Sequence, residues 1–224
     1  KETASGDEIK ITIQGLLGGH SGEEIHRQRG NANKMMARLL YHIAEEKSYR
    51  LSEIYGGSKD NVIAMEAHAS LVAAPEDTEQ ILDMIRNMED VWNAEFMGEE
   101  PGLTVKTETE KNADTVVFSK DTTQKVVGYL KASPNGLKEY SRKVAGATET
   151  SLNLGVVSMK ENGVEAAFLI RSAVDSRKQQ VLEEVDAVTK AFGGTGTISS
   201  AYQAWQYKPK SELRPVMIEA YKEI

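Results

Sequence analysis

With 224 residues, 40% hydrophobic and 27% charged, the chain can bury a substantial core and matches neither a disordered nor a fibrous composition. A net charge of −7, with basic residues interspersed among acidic ones, offers nucleic acid no broad basic face. The lack of cysteine excludes disulfide staples and thiolate metal sites, and no apolar run reaches the roughly 20 residues needed to cross a bilayer, so no membrane partner is expected. The opening Lys1-Glu2-Thr3-Ala4-Ser5-Gly6-Asp7 has no apolar signal core, and the cytoplasm is the expected compartment.

Glu8 to Gln14 alternates polar and apolar residues, the mark of a half-buried strand, and ends at the glycine-rich Gly15-Leu16-Leu17-Gly18-Gly19-His20-Ser21-Gly22. Asn31 or Asn33 caps a helix whose Met35, Met36, Leu39, Leu40 and Ile43 recur at helical spacing. Tyr49 to Tyr55 and Asn61 to Val72 read as strands joined by the turn-rich Gly56-Gly57-Ser58-Lys59-Asp60. Pro75 opens a long helix with Ile81, Met84, Ile85, Met88, Val91, Trp92 and Phe96 on one stripe, stopped by Gly98 and Pro101. Gly102 to Glu110 alternates again.

A second pass of the same order follows. Val116-Val117-Phe118 reads as a short strand, and Asp121 as the cap of a helix through Val126, Val127 and Leu130. Ser133-Pro134-Asn135-Gly136 breaks that helix, and Leu137 to Val144 adds another helical turn. Thr150 to Met159 and Val164 to Ser172 flank Glu161-Asn162-Gly163, whose Asn-Gly pair signals a hairpin. A helix over Arg177 to Phe192 and a last strand over Thr197 to Tyr207 complete the repeat, and Ser211 to Ile224 adds an amphipathic helix. The expected fold is therefore α+β, a two-layer sandwich of duplicated βαββαβ (ferredoxin-like) halves, with an antiparallel sheet and helices on one face. The divisions fall at 1–110, 111–208 and 209–224.

Among the four histidines, His20 stands out, because glycines on both sides let the loop present one side chain. The bland alternative is a turn whose histidine hydrogen-bonds locally. His42 and His68 read as structural, and Glu23-Glu24-Ile25-His26 lacks the second histidine of a zinc-protease helix. Glu23-Glu24, Glu45-Glu46, Glu99-Glu100 and Glu183-Glu184 read as solvated faces and helix-start charges rather than metal carboxylates.

Gly19-His20-Ser21-Gly22-Glu23-Glu24-Ile25-His26, followed by Arg29-Gly30-Asn31-Ala32-Asn33-Lys34, resembles the start of the lid domain in the di-zinc exopeptidase family that includes carboxypeptidase G, aminoacylase and carnosinase. Within it the chain is most similar to the Xaa-His (aminoacyl-histidine) dipeptidases, and the likeness continues through Gly56-Gly57, Asn61-Val62-Ile63, Thr150-Ser151-Leu152-Asn153-Leu154-Gly155 and Leu169-Ile170-Arg171-Ser172. The resemblance implies that His20 stabilises the tetrahedral oxyanion, that Arg171 holds the dipeptide's terminal carboxylate, and that Asn61 shares the binding of carboxylate or main chain. A surface arginine at a strand end and a plain turn asparagine are the alternatives for the last two, and Ala64 stands where the family commonly has proline.

The resemblance also implies two Zn2+ ions whose ligands lie outside residues 1–224, so that residues 209–224 begin a return into a catalytic domain. Alone, the chain is then expected to hold no tight zinc and to hydrolyse no dipeptide. Its partners would be the dipeptide, that catalytic domain and a second copy met through the lid. A non-catalytic dimerisation or interaction module is the competing reading, separated from the first by whether His20, Asn61 and Arg171 share one surface.

Overall fold

The computed structural model describes residues 1–224 apart from 161, 162, 205, 206, 209, 223 and 224. Its elements are β1 (Glu2–Gln14), α1 (Ala32–Glu46), β2 (Tyr49–Gly56), β3 (Ala67–Ala73), α2 (Thr78–Phe96), β4 (Thr104–Val117), α3 (Lys120–Ala132), β5 (Gly136–Tyr140), β6 (Thr148–Lys160), β7 (Gly163–Ser172), α4 (Asp175–Ala191) and α5 (Leu213–Lys222). The strands form one seven-stranded antiparallel sheet in the order β4-β1-β3-β2-β6-β5, with β7 paired to β6.

Alternation in β1 sends Ile9, Ile11 and Ile13 to one face, where they lie opposite Leu71, Ala69 and Ala67 of β3. Against that face pack Met36, Leu39, Leu40 and Ile43 of α1 and Ile81, Ile85 and Trp92 of α2, forming one core with Val127 and Leu130 of α3. Burying such a leucine or isoleucine stabilises the fold by about 2 kcal/mol each. The edge strand β4 carries Lys106, Glu108 and Glu110, whose charges discourage pairing with a further strand. β2 meets β6 through a single pair, Gly56 opposite Val157, so the sheet is thinnest where the first four strands join the last three.

The first βαββαβ half follows the expected order, with shifted ends. The strand expected over Asn61 to Val72 covers Ala67–Ala73, because residues 61–66 turn to meet the glycine loop. Of the short strand expected at residues 116–118, Val116 and Val117 are the end of β4, which runs unbroken across residues 110 and 111. Ser119, not Asp121, caps α3: its Oγ accepts the Thr122 N–H at 3.1 Å.

Leu137 to Val144 is not helical, since Gly136–Tyr140 pairs with β6 as β5. No strand forms over the described part of Thr197 to Tyr207, which finds no neighbour in the sheet. The second half therefore runs α3, β5, β6, β7, α4. Glu161 and Asn162 of the expected hairpin turn lie outside the described residues.

Candidate functional site

The site is built on the loop between β1 and α1. Gly15, Gly18 and Gly19 adopt positive φ, and a Cβ at Gly15 would stand 1.8 Å from the Gly102 carbonyl oxygen, so a side chain there is excluded. Glu100 ties both ends of the loop. Only 3% exposed, it accepts the Leu17 N–H at 2.7 Å through Oε2 and the Gly30 N–H at 2.8 Å through Oε1.

Inside the loop, Glu24 accepts the His20 N–H at 3.1 Å and pairs with Arg29 at 3.1 Å, while Arg29 donates to the Gly18 carbonyl at 2.6 Å. The His20 N–H first, then the charges of Arg29 and Arg27, hold the Glu24 carboxyl below the usual carboxylate range against some desolvation. His20 is thus fixed at its backbone by an ionised clamp. The imidazole Nδ1 in turn faces the N–H groups of Glu23 at 3.2 Å and Gly22 at 3.4 Å.

Asn61 comes to this loop through the backbone. Its carbonyl accepts the Ser21 N–H at 2.9 Å, the Gly19 carbonyl accepts the Ile63 N–H at 2.9 Å, and His20 and Val62 form an antiparallel bridge. Behind this pair of segments lies Asn153 of β6, which is fully buried. Its Nδ2 donates to the carbonyls of Asp60 and Val62, each at 2.8 Å, and its Oδ1 accepts from Asn31 Nδ2 at 3.2 Å. Asn31 also caps α1, accepting the Lys34 N–H at 3.2 Å, and Asn33 Nδ2 donates to the Leu154 carbonyl at 3.3 Å. A Cβ at Gly155 would lie 2.5 Å from the Asp60 Cα, so glycine is needed for the two backbones to approach.

Arg171 arrives from β7, opposite Ser151 of β6. A Cβ at Gly22 would lie 3.1 Å from His20 Cε1 and 3.2 Å from both Cζ and Nε of Arg171, which places the imidazole and the guanidinium together against one glycine. His20, Asn61 and Arg171, far apart in sequence, are brought together. Among the described residues, Ser21 Oγ, Ser151 Oγ and Arg171 Nε are buried without a hydrogen-bond partner. An imidazole donor beside a guanidinium suits a ligand with one polarised oxygen and one carboxylate.

The remaining histidines lie outside this cluster. His68 pairs with Glu66 at 2.6 Å, meets Thr12 at 3.0 Å and stacks on Tyr55, and His26 is exposed. Among the described residues no three His, Asp or Glu side chains are grouped so as to hold a metal ion. Glu100 corrects the reading of Glu99-Glu100 as a solvated face. Gly22, Ser151 and Asn153 lay inside the motif runs, but nothing in their spacing gave them a task.

Residues 11–99 match the family described as the peptidase dimerisation domain. Over 218 residues the chain is 35% identical to the cytosol non-specific dipeptidase of Escherichia coli (strain K12), covering 96% of this chain and 44% of that protein. The crystal structure of aminoacylhistidine dipeptidase from Vibrio alginolyticus superposes with a TM-score of 0.88 at 34% identity, covering 97% of this chain and 44% of that one. The chain spans less than half the length of both relatives.

Proposed function

We propose, from the match of residues 11–99 to the peptidase dimerisation domain family and the likeness to two dipeptidases, that the chain is the lid of a dipeptidase, closing over an Xaa-His dipeptide in the cytoplasm. The observation that carries this reading is Gly22, against which the His20 imidazole and the Arg171 guanidinium both stand. In the proposal His20 donates from its ring to the oxyanion formed at the scissile carbonyl, a contact that strengthens only as charge develops there. Arg171 grips the terminal carboxylate with two parallel hydrogen bonds, and Asn61 contacts that carboxylate or the substrate main chain. The names of the two relatives, one a cytosol dipeptidase and one an aminoacylhistidine dipeptidase, support the compartment and the substrate class.

The two zinc ions belonging to this proposal do not fit the described residues, which provide no ligand cluster, and no step here is routed through them. In an active dipeptidase that carries this chain, His20→Ala should lower kcat on the order of 10²-fold and leave KM near normal. An unchanged kcat would refute the assignment.

The family's description also favours a second reading, self-association of the domain. Sedimentation of the purified chain across a concentration series should show a dimer, and a monomer at every concentration would remove this reading.

A further inference from the structure

The local geometry around His20 determines more than where the ring stands. After His20 the chain makes a tight turn, in which the Glu24 N–H donates to the His20 carbonyl at 2.9 Å. Such a turn leaves the N–H groups two and three residues beyond its first residue without partners, and at helix starts a Ser, Thr, Asp or Asn oxygen accepts them. Here an imidazole nitrogen does so. His20 Nδ1 faces the Glu23 N–H at 3.2 Å and the Gly22 N–H at 3.4 Å. The Glu24 carboxylate returns to the His20 N–H at 3.1 Å, so side chain and backbone satisfy each other in the manner of a capping box.

Two N–H donors can be met only by a lone pair, and a neutral imidazole carries one donor nitrogen and one acceptor nitrogen. We infer that this loop locks His20 in the tautomer with its proton on Nε2, and that Glu100 is a positioning residue for the lock, pinning both ends of the loop through the N–H groups of Leu17 and Gly30. The inference rests on the reading of His20 as an oxyanion donor and states how the loop prepares it. The nitrogen left for a ligand already bears its proton, and it meets a negative oxygen as a donor with no prior proton transfer. The ring neither flips nor shifts its proton to suit the substrate. Buried carboxylate oxygens accepting main-chain N–H groups form strong, short bonds, which is why one side chain holds both stems.

The test uses the whole chain with ¹⁵N-labelled histidine, observed through long-range ring correlations at a pH where imidazoles are neutral. The His20 signals are assigned by their loss in His20→Asn. The expected wild-type pattern is a single Nε2–H form. Glu23→Pro deletes the closer amide, and Glu100→Gln replaces one acceptor oxygen with an N–H group facing another N–H. Each should remove the single pattern and introduce an Nδ1–H fraction, while the amide signals of β1 and β3 stay in place.

Because Glu23→Pro risks disturbing the turn itself, Glu100→Gln provides an independent reading from outside the loop. A wild-type ring protonated on Nδ1, or averaging between forms, overturns the lock. A single Nε2–H pattern that survives both substitutions overturns the parts given to the amides and to Glu100. Neither spectrum depends on catalysis, so the tautomer result stands apart from the kinetic effect of His20→Ala.

Discussion

The first four strands bury most of their apolar residues, whereas of the last three only β6 does so, through Leu152, Leu154 and Val157. In the first region Ile9, Ile13, Leu39, Leu40, Leu51, Leu71 and Ile81 have no measurable exposure and Trp92 has 1%. In the second, β7 leaves Ala166, Phe168 and Ile170 half-buried, and α4 buries only Val181 and Thr189. The two regions share one core through Leu154 and Val157 of β6, and the more exposed β7 and α4 are held to the first region through β6 and the asparagines 31, 33, 135 and 153. The candidate site straddles this seam, taking His20 and Asn61 from one side and Arg171 from the other. Its geometry is therefore only as firm as the polar joint between the regions.

The largest expected effect separates the two cores. Leu39→Ala removes a fully buried side chain and should cost about 4 kcal/mol, whereas Phe168→Ala, from a half-buried position, should cost about 1 kcal/mol despite deleting a larger group. Chemical denaturation monitored by circular dichroism gives both values. Equal losses would show that the second region is as tightly packed as the first.

Next comes the joint. Asn153→Leu keeps the volume but leaves the carbonyls of Asp60 and Val62 without their partner and takes one of its acceptors from the Asn31 amide, which keeps the Leu154 carbonyl, at a cost of about 2–3 kcal/mol. Hydrogen exchange should quicken at Ser21 and Ile63, whose amides bridge the loop segments, and stay slow in β1. Exchange that rises evenly across the sheet would mean that the joint is no more local than the core.

The contrast also explains which parts of the architecture were legible beforehand. Ile9, Ile11 and Ile13 alternate because one face of β1 is buried and the other is polar, and period-two patterning records that directly. Gly136–Tyr140 belongs to the weaker region: its five residues form a strand only because β6 offers an edge, and they carry little alternation of their own. The described part of Thr197 to Tyr207 had the opposite fate, strand-like residues with no strand beside them. Of the site, the glycine loop announced His20, but the task of Glu100 is visible only once Leu17 and Gly30 are folded against it. Gly22 is the clearest case, since its neighbour Arg171 is distant in sequence and no local spacing can reveal the contact.

Lys34 offers a smaller effect with a definite sign. Its Nζ donates to the carbonyls of Leu130, Lys131 and Ser133, fastening α1 to the end of α3. Burial, and next the charge of Lys131, lowers its pKa from 10.5 to about 8. Between those values the unfolded chain binds the proton that the folded chain has released, so raising the pH removes a penalty on the folded state. Relative to Lys34→Met, the wild type should gain about 1 kcal/mol between pH of about 7 and about 9. A difference between the two proteins that stays flat or shrinks with pH would contradict the assignment.

The smallest effect on stability should come from Gly22→Ala, and it bears most directly on the seam. Gly22 has no positive φ, so alanine meets no backbone strain and global stability should change by less than about 0.5 kcal/mol. The new methyl must nevertheless find room between His20 Cε1 at 3.1 Å and the Arg171 guanidinium at 3.2 Å, closer than carbon atoms pack comfortably. Both side chains should therefore give way by a few tenths of an ångström. In a ¹⁵N spectrum the His20 ring signals and the Arg171 Nε–H should shift together, while residues on the far side of the sheet, such as His68 with Thr12 and Glu66, keep their positions. Because His20 belongs to the tightly packed region and Arg171 to the looser one, the arginine should yield further. A shift confined to His20 would mean that the two groups do not share the glycine, and the site would then belong to the first region alone.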